Sequence, residues 1–209
     1  MTSHDSSHAS GARRRREAAL FLWKWLQAPT RIGAIWPSGR SLARAMAAEV
    51  DLAVPGAIVE LGAGTGSVTA ALLQAGVPRG RLWAVERDPA MAAVLRERFP
   101  GIRVVEGDAG DLAAILRGEG VEVAAAVVSS LPLVSLPRAL VTRIVEGSFA
   151  LLHPEGRYIQ FTYGLISPIP LRRFRLEARR VRRAWRNLPP AMVWCYRRLP
   201  DHPVVRAGG

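Results

Sequence analysis

The stretch Val59-Glu60-Leu61-Gly62-Ala63-Gly64-Thr65-Gly66 sets a carboxylate and alternating glycines at the end of an apolar run. Glycines spaced this way let the main chain turn tightly against a ligand and open a helix behind it. Gly62, Ala63, Gly64 and Gly66 are therefore candidate cofactor contacts. The pattern departs from the dinucleotide fingerprint, because the third glycine falls one position early and Ser67 follows it. Glu60 departs further. A charge in an apolar strand is costly to bury without a partner, and beside a pyrophosphate it would be repelled. A cationic ligand removes both objections, and the amino group or sulfonium of S-adenosylmethionine supplies the cation.

Two further acids follow at the ends of the next apolar runs. Glu86, with Arg87 beside it in AVERD, lies at the spacing expected of an acid that takes a ribose diol. Asp108 in GDA can accept from an adenine amino group, and Ala109 can donate its N–H. Strand-end acids also cap helices, the role assigned to Asp88. Three such acids in the right order make a set that points to the methyl donor rather than to NAD.

The elements needed to hold these residues are legible. AIVELG, RLWAVE, IRVVEG, VAAAVVSS and RYIQFTYG are short apolar strands, and helical segments separate them: SVTAALLQAG, PAMAAVLRERF, residues 109–117 and RALVTRIVEGSFALL. This alternation predicts a parallel sheet covered on both faces. Ser38 is expected to cap a helix running to about Val50, with Leu42, Ala45, Met46 and Val50 on one stripe. RLEARRVRRAWRNLPPAMVWCYRRL reads as two strands about a turn at 187–190. The fold class is thus α/β, a doubly wound and mostly parallel seven-stranded Rossmann-like sheet. It ends in an antiparallel hairpin and is preceded by an amphipathic helix. The expected organisation is a disordered tail over 1–12, the amphipathic helix over 13–30, the catalytic domain over 31–200 and a flexible tail over 201–209.

ELGAGTG, Glu86 in AVERD and GDA resemble the class I S-adenosylmethionine-dependent methyltransferases. RIGAIWPSGRSLARAMA, SSLPL and GRYIQFTYG…ARRV…WRNLPPAMVW narrow the resemblance, over residues 20–198, to the bacterial phospholipid N-methyltransferases. More distantly the chain is similar to the rRNA adenine dimethyltransferases. The first resemblance implies stepwise methylation of phosphatidylethanolamine towards phosphatidylcholine, with S-adenosylmethionine as cofactor and no metal. It places Ser129, Ser130 and Leu131 of SSLPL where amino-group methyltransferases position the nucleophile, Ser129 serving the cofactor as well. Enzymes that methylate a base amine usually end this motif in an aromatic residue that stacks on the extruded base. Here it ends in Leu133. No strong general base stands out: His153 is expected in a turn, and His4, His8 and His202 lie near the chain ends. Tyr163, with Ser129 and Ser130, is the candidate catalytic set. Trp36 and Ser38 are expected to close over the cofactor.

Composition bears on the partner. The chain of 209 residues has 29 Lys+Arg against 17 Asp+Glu, a net charge of +12. Such a surface attracts polyanions, either nucleic acid or an anionic membrane. Its single cysteine, Cys195, excludes an internal disulfide. No apolar run reaches the roughly 18 residues of a transmembrane helix. In REAALFLWKWLQAP, however, Phe21, Leu22, Trp23, Trp25 and Leu26 gather on one broad side of a helix, with Lys24 and Gln27 opposite and arginines at 13–16 before it. That pattern suits a helix lying in a membrane interface. Arg172 and Arg186 bound an arginine-rich stretch that offers contacts to a lipid phosphate. The expected partner is an anionic phospholipid surface carrying phosphatidylethanolamine, met by a monomer on the inner face of the cytoplasmic membrane, with nucleic acid not expected. The competing readings are an RNA N-methyltransferase and a non-catalytic membrane-binding module.

Overall fold

Strands buried on both faces read as unbroken apolar runs, and Ala57–Leu61, Leu82–Glu86 and Ala124–Ser129 do so because helices cover them on either side. In the computed structural model, which describes residues 37–163, 166–184 and 191–200, these form β1, β2 and β4. They join β3 (Arg103–Glu106), β5 (Leu152–Tyr163), β6 (Leu176–Ala184) and β7 (Ala191–Arg198). The sheet runs β3-β2-β1-β4-β5-β7-β6. Its first five strands in that order are parallel, β7 is antiparallel to β5, and β6 is antiparallel to β7. The fold is the seven-stranded, mostly parallel Rossmann-like sheet expected.

The terminal pair is inserted in reverse: its second strand lies against β5 and its first forms the outer edge. Composition accounts for this. AMVWCY in β7 is buried throughout, whereas β6 carries Arg179 and Arg180, both exposed. Charged side chains on an edge strand discourage further strand addition, so the arginine-rich strand takes the edge.

The described helices are α1 (Pro37–Ala47), α2 (Ser67–Gln74), α3 (Pro89–Arg98), α4 (Leu112–Gly118), α5 (Arg138–Leu151) and α6 (Leu171–Phe174). Val59, Leu61, Val127, Tyr158 and Tyr196 pack on one face of the sheet against Leu112 and Leu116 of α4 and Ile144 and Phe149 of α5. Ile58, Val128, Ile159 and Val193 pack on the other against Leu42 and Met46 of α1 and Leu72 of α2. Strand order reverses between β1 and β4. The crevice beyond the carboxyl ends of these two strands is where open α/β sheets bind ligands.

Two expectations change. The helix assigned to Ser38 as cap begins at Pro37 and stops at Ala47, so Ser38 lies inside its first turn. Proline fits a first helical position because its missing N–H would have had no partner there. His153 is not in a turn before β5 but within the strand. The register moves from Ala124↔Leu152 to Ala126↔Arg157, leaving a bulge whose Glu155 N–H donates to His153 Nδ1 at 3.2 Å. This is the amino-terminal end of a strand parallel to β1, the edge of the sheet away from the glycine loop.

The amphipathic segment with Phe21, Trp23, Lys24 and Trp25 lies outside the described residues, as do Trp36, Arg186 and the two tails; the side chains of Ser38 and Tyr163 do too. Among the described residues no helix is long and apolar enough to cross a membrane.

Candidate active site

The glycine loop is forced by its surroundings. Gly62, Gly64 and Gly66 have φ of 68°, 54° and 83°, a region that side-chain-bearing residues rarely adopt. Space is excluded as well. A Cβ on Gly62 would stand 2.7 Å from Leu131 Cδ2, and one on Gly66 would stand 2.2 Å from the Phe99 ring. The loop is tied down by Gly62 N–H to the Val85 carbonyl at 2.9 Å and Gly66 N–H to the Ala63 carbonyl at 2.9 Å.

The acids converge on this loop. Glu86, at the end of β2, accepts from Gly64 N–H through Oε2 at 2.9 Å and from Asp88 N–H through Oε1 at 3.0 Å. It thereby joins the first two strand-end loops. Asp88 caps α3, accepting from Ala90 N–H at 2.8 Å. Asp108 accepts from Gly110 N–H at 2.8 Å and starts a 3₁₀ turn at Ala109. Arg87 is exposed and faces Asp108, with 3.8 Å between Nη1 and Oδ2.

Glu60 is fully buried. Its Oε2 accepts from Thr69 Oγ1 at 2.6 Å, while Oε1 is buried without any hydrogen-bond partner. Burial pushes its carboxyl up to about 8; Thr69 opposes this through its side chain and main chain, and Glu86 adds a smaller upward push. A buried carboxylate oxygen with no donor fits a cation of the ligand. The residues present therefore fit S-adenosylmethionine: Glu60 and the glycine loop would hold its cationic end, with Glu86 and Asp108 available at the next two strand ends. When bound, that group supplies an electrophilic methyl on a sulfonium.

The end of β4 supplies the other wall. Ser130 N–H donates to the Leu61 carbonyl at 3.0 Å, carrying the SSLPL turn beside the glycine loop. Leu42 and Met46 of α1, the loop 62–65, Ser130 and Phe161 line one pocket. Ser129 lies beneath it, fully buried, accepting from Leu131 N–H at 3.4 Å. Gln160, also fully buried, closes this network. Its Nε2 donates to the Leu131 carbonyl at 2.9 Å, and Tyr158 OH donates to its Oε1 at 3.4 Å. Burial holds the Tyr158 phenol protonated, above its usual range.

Of the sequence-predicted residues, the structure gathers Glu60, Gly62, Ala63, Gly64, Gly66, Glu86, Asp108, Ala109, Ser129, Ser130 and Leu131 at the carboxyl ends of β1 to β4. The Tyr163 main chain ends β5 opposite Ala191. Arg172 is exposed on the short α6, and nothing described connects it to the pocket. Sequence reasoning missed Thr69, Phe161, Tyr158 and Gln160. Gln160 had a signal, being a lone amide inside the apolar run YIQF.

Residues 58–156 match the family model described as a methyltransferase domain. Over 191 residues the chain is 38% identical to an ornithine lipid N-methyltransferase of Singulisphaera acidiphila, covering 87% of this chain and 96% of that protein. The chain belongs to the class I S-adenosylmethionine-dependent methyltransferases. Solved structures bear out the fold. A TehB-like S-adenosylmethionine-dependent methyltransferase of Corynebacterium glutamicum superposes with a TM-score of 0.57 at 17% identity, over 90% of this chain and all of that one. TrmN of Thermus thermophilus gives 0.56 at 19% identity over 77% of this chain; the match spans 49% of that chain, about half its length.

Within this methyltransferase the chemistry left to the chain is alignment and water exclusion. Apolar walls from Leu42, Met46 and Phe161 favour the neutral form of a basic group that enters the pocket, because desolvation disfavours its charged form. Holding a nucleophile in line with the methyl that the cofactor would supply converts an encounter into an intramolecular step. His153, at the far edge of the sheet, is not placed to serve as a base there.

Proposed function

We propose that the methyltransferase moves a methyl group from S-adenosylmethionine to the primary amine of a membrane lipid, forming an N–C bond as the S–C bond breaks. The amine's proton leaves to water, and S-adenosylhomocysteine is released. The observation that carries this reading is the 38% identity, over nearly the whole of both chains, to a lipid N-methyltransferase. The relative named for ornithine lipid and the phosphatidylethanolamine implied by the sequence resemblance share one feature, an amine on a lipid headgroup. We take phosphatidylethanolamine as the substrate and an ornithine lipid as the competitor. The enzyme would act as a monomer on the inner face of the cytoplasmic membrane, held to anionic lipid by the segment containing Phe21, Trp23, Lys24 and Trp25, with Arg186 and Tyr163 near the substrate and Trp36 and Ser38 over the cofactor.

Base methylation is disfavoured by Leu133, which is 3% exposed and packed in the core. It offers no face on which an extruded base could stack. The test is incubation with labelled methyl donor and vesicles containing phosphatidylethanolamine or an ornithine lipid, followed by lipid analysis. Label in a lipid amine supports the proposal; label only in RNA overturns it.

A further inference from the structure

A second concavity adjoins the cofactor pocket and has a different chemistry. It is a groove of about 260 Å³ between α1 and α2, into which Arg40, Arg44 and Arg98 converge; Ser67 and Gln74 are its neutral polar lining, and no carboxylate lines it. Arg40 and Arg44 stand four residues apart on α1, so they lie on one ridge, where like charges destabilise a helix. Ion pairs among the described residues engage Arg87, Arg96, Arg143, Arg157 and Arg179. None of them engages Arg40 or Arg44. Arg98 comes from the end of α3 and is fixed in place: its Nη1 donates to the Thr65 carbonyl at 2.7 Å, and its guanidinium lies 5.2 Å from the Phe99 ring centroid. An anchored guanidinium and two that no ion pair among the described residues engages surround one groove and form a receptor for an oxyanion, which planar forks can bind bidentately.

The groove is also placed for the reaction. Ala43 and Ser67 line both it and the pocket of the glycine loop, Ser130 and Phe161. One thin wall therefore separates a cationic groove from an apolar pocket. We propose that Arg40, Arg44 and Arg98 form an oxyanion subsite that holds the anionic group of a zwitterionic lipid headgroup while its amine enters the neighbouring pocket. This rests on the lipid-amine reading above. It adds the requirement that the substrate carry an anion a few bonds from the methylated nitrogen.

The test uses the full chain and the double variant R40Q/R44Q, with Arg98 kept because it bonds the glycine loop. Arg40 and Arg44 are both exposed, so the variant should fold, and a melting temperature without ligand no lower than that of the wild type checks that it does. With phosphatidylethanolamine vesicles the variant should raise KM at least tenfold, while kcat and S-adenosylhomocysteine affinity stay within about twofold. Independently of activity, phosphoethanolamine should raise the melting temperature of the wild type and not of the variant, and ethanolamine, which lacks the anion, should shift neither. If the wild type methylates no lipid but still shows the phosphoethanolamine difference, the oxyanion groove stands and the lipid function falls. An unchanged KM together with equal phosphoethanolamine shifts in both proteins overturns the groove. Inorganic phosphate matching phosphoethanolamine, with KM unchanged, overturns its assignment to the lipid.

Discussion

Replacing Glu60 by Gln separates its role as a ligand group from its burden on the fold. A carboxyl raised from 4.5 to about 8 is stabilised in its protonated form by burial. Its favourable contribution is therefore fully present below pH 4.5 and is lost as pH rises through 8. At 1.36 kcal/mol per pH unit, the climb from 4.5 to 7 removes about 3 kcal/mol from the unliganded protein. The amide in E60Q cannot ionise, so the variant escapes this loss. It carries a fixed penalty instead: an amide N–H₂ where Oε1 has no partner costs about 1–3 kcal/mol at every pH. The difference in stability between variant and wild type should therefore move by about 3 kcal/mol in the variant's favour between pH 4.5 and pH 7. Urea denaturation of the cofactor-free proteins at several pH values measures it. Ligand binding gives the complementary result. A cation near Oε1 favours the carboxylate, so wild-type binding at pH 7 should release a proton, detected by calorimetry in buffers of different ionisation enthalpy. The variant should bind more weakly and release none from this position. A stability difference that is flat with pH, together with equal proton release by both proteins, would refute the assignment of Glu60.

Gly66→Ala forces a Cβ to 2.2 Å from the Phe99 ring at a φ of 83°. Strain and overpacking together should cost about 2–5 kcal/mol of stability in urea denaturation, and adding Phe99→Leu should recover part of it. Gln160→Leu leaves the Leu131 carbonyl without its 2.9 Å donor. We expect about 1–3 kcal/mol lost and a kcat at least tenfold lower, with cofactor affinity nearly unchanged; equal losses in kcat and cofactor affinity would make the residue merely structural. Replacing Phe21 and Trp25 by Ser should weaken binding to anionic vesicles in a flotation assay while leaving cofactor affinity intact, and unchanged vesicle binding would remove that segment from the membrane.

Much of the cofactor side was legible because its information is local. Glu60, the glycines and Thr69 all lie within ten residues. Glu86 and Asp108 follow at the ends of the next two strands in order, and the fully buried run of β2 has no polar alternation to confuse its type. The substrate side was less legible because its geometry comes from pairing between distant strands. Gln160 meets the SSLPL turn only because Ser129 stands opposite it when β5 pairs with β4. Phe161 reaches the pocket only because β5 then runs beside the glycine loop's own strand neighbour. The reversed terminal pair shows the same limit. The sequence contained both strands, but which one lies inside depends on comparing the fully apolar AMVWCY with the arginines of β6, a competition for one place against β5. Thr69 is the instructive middle case. It sits on the first turn of α2, where a hydroxyl would pass as an ordinary helix residue, until Glu60 is seen to be a carboxylate that only a buried donor on that helix could steady. The methyl-donor loop thus needs a partner that no motif records: Thr69 lies nine positions after Glu60 in the chain, and one hydrogen bond of 2.6 Å joins them in the fold.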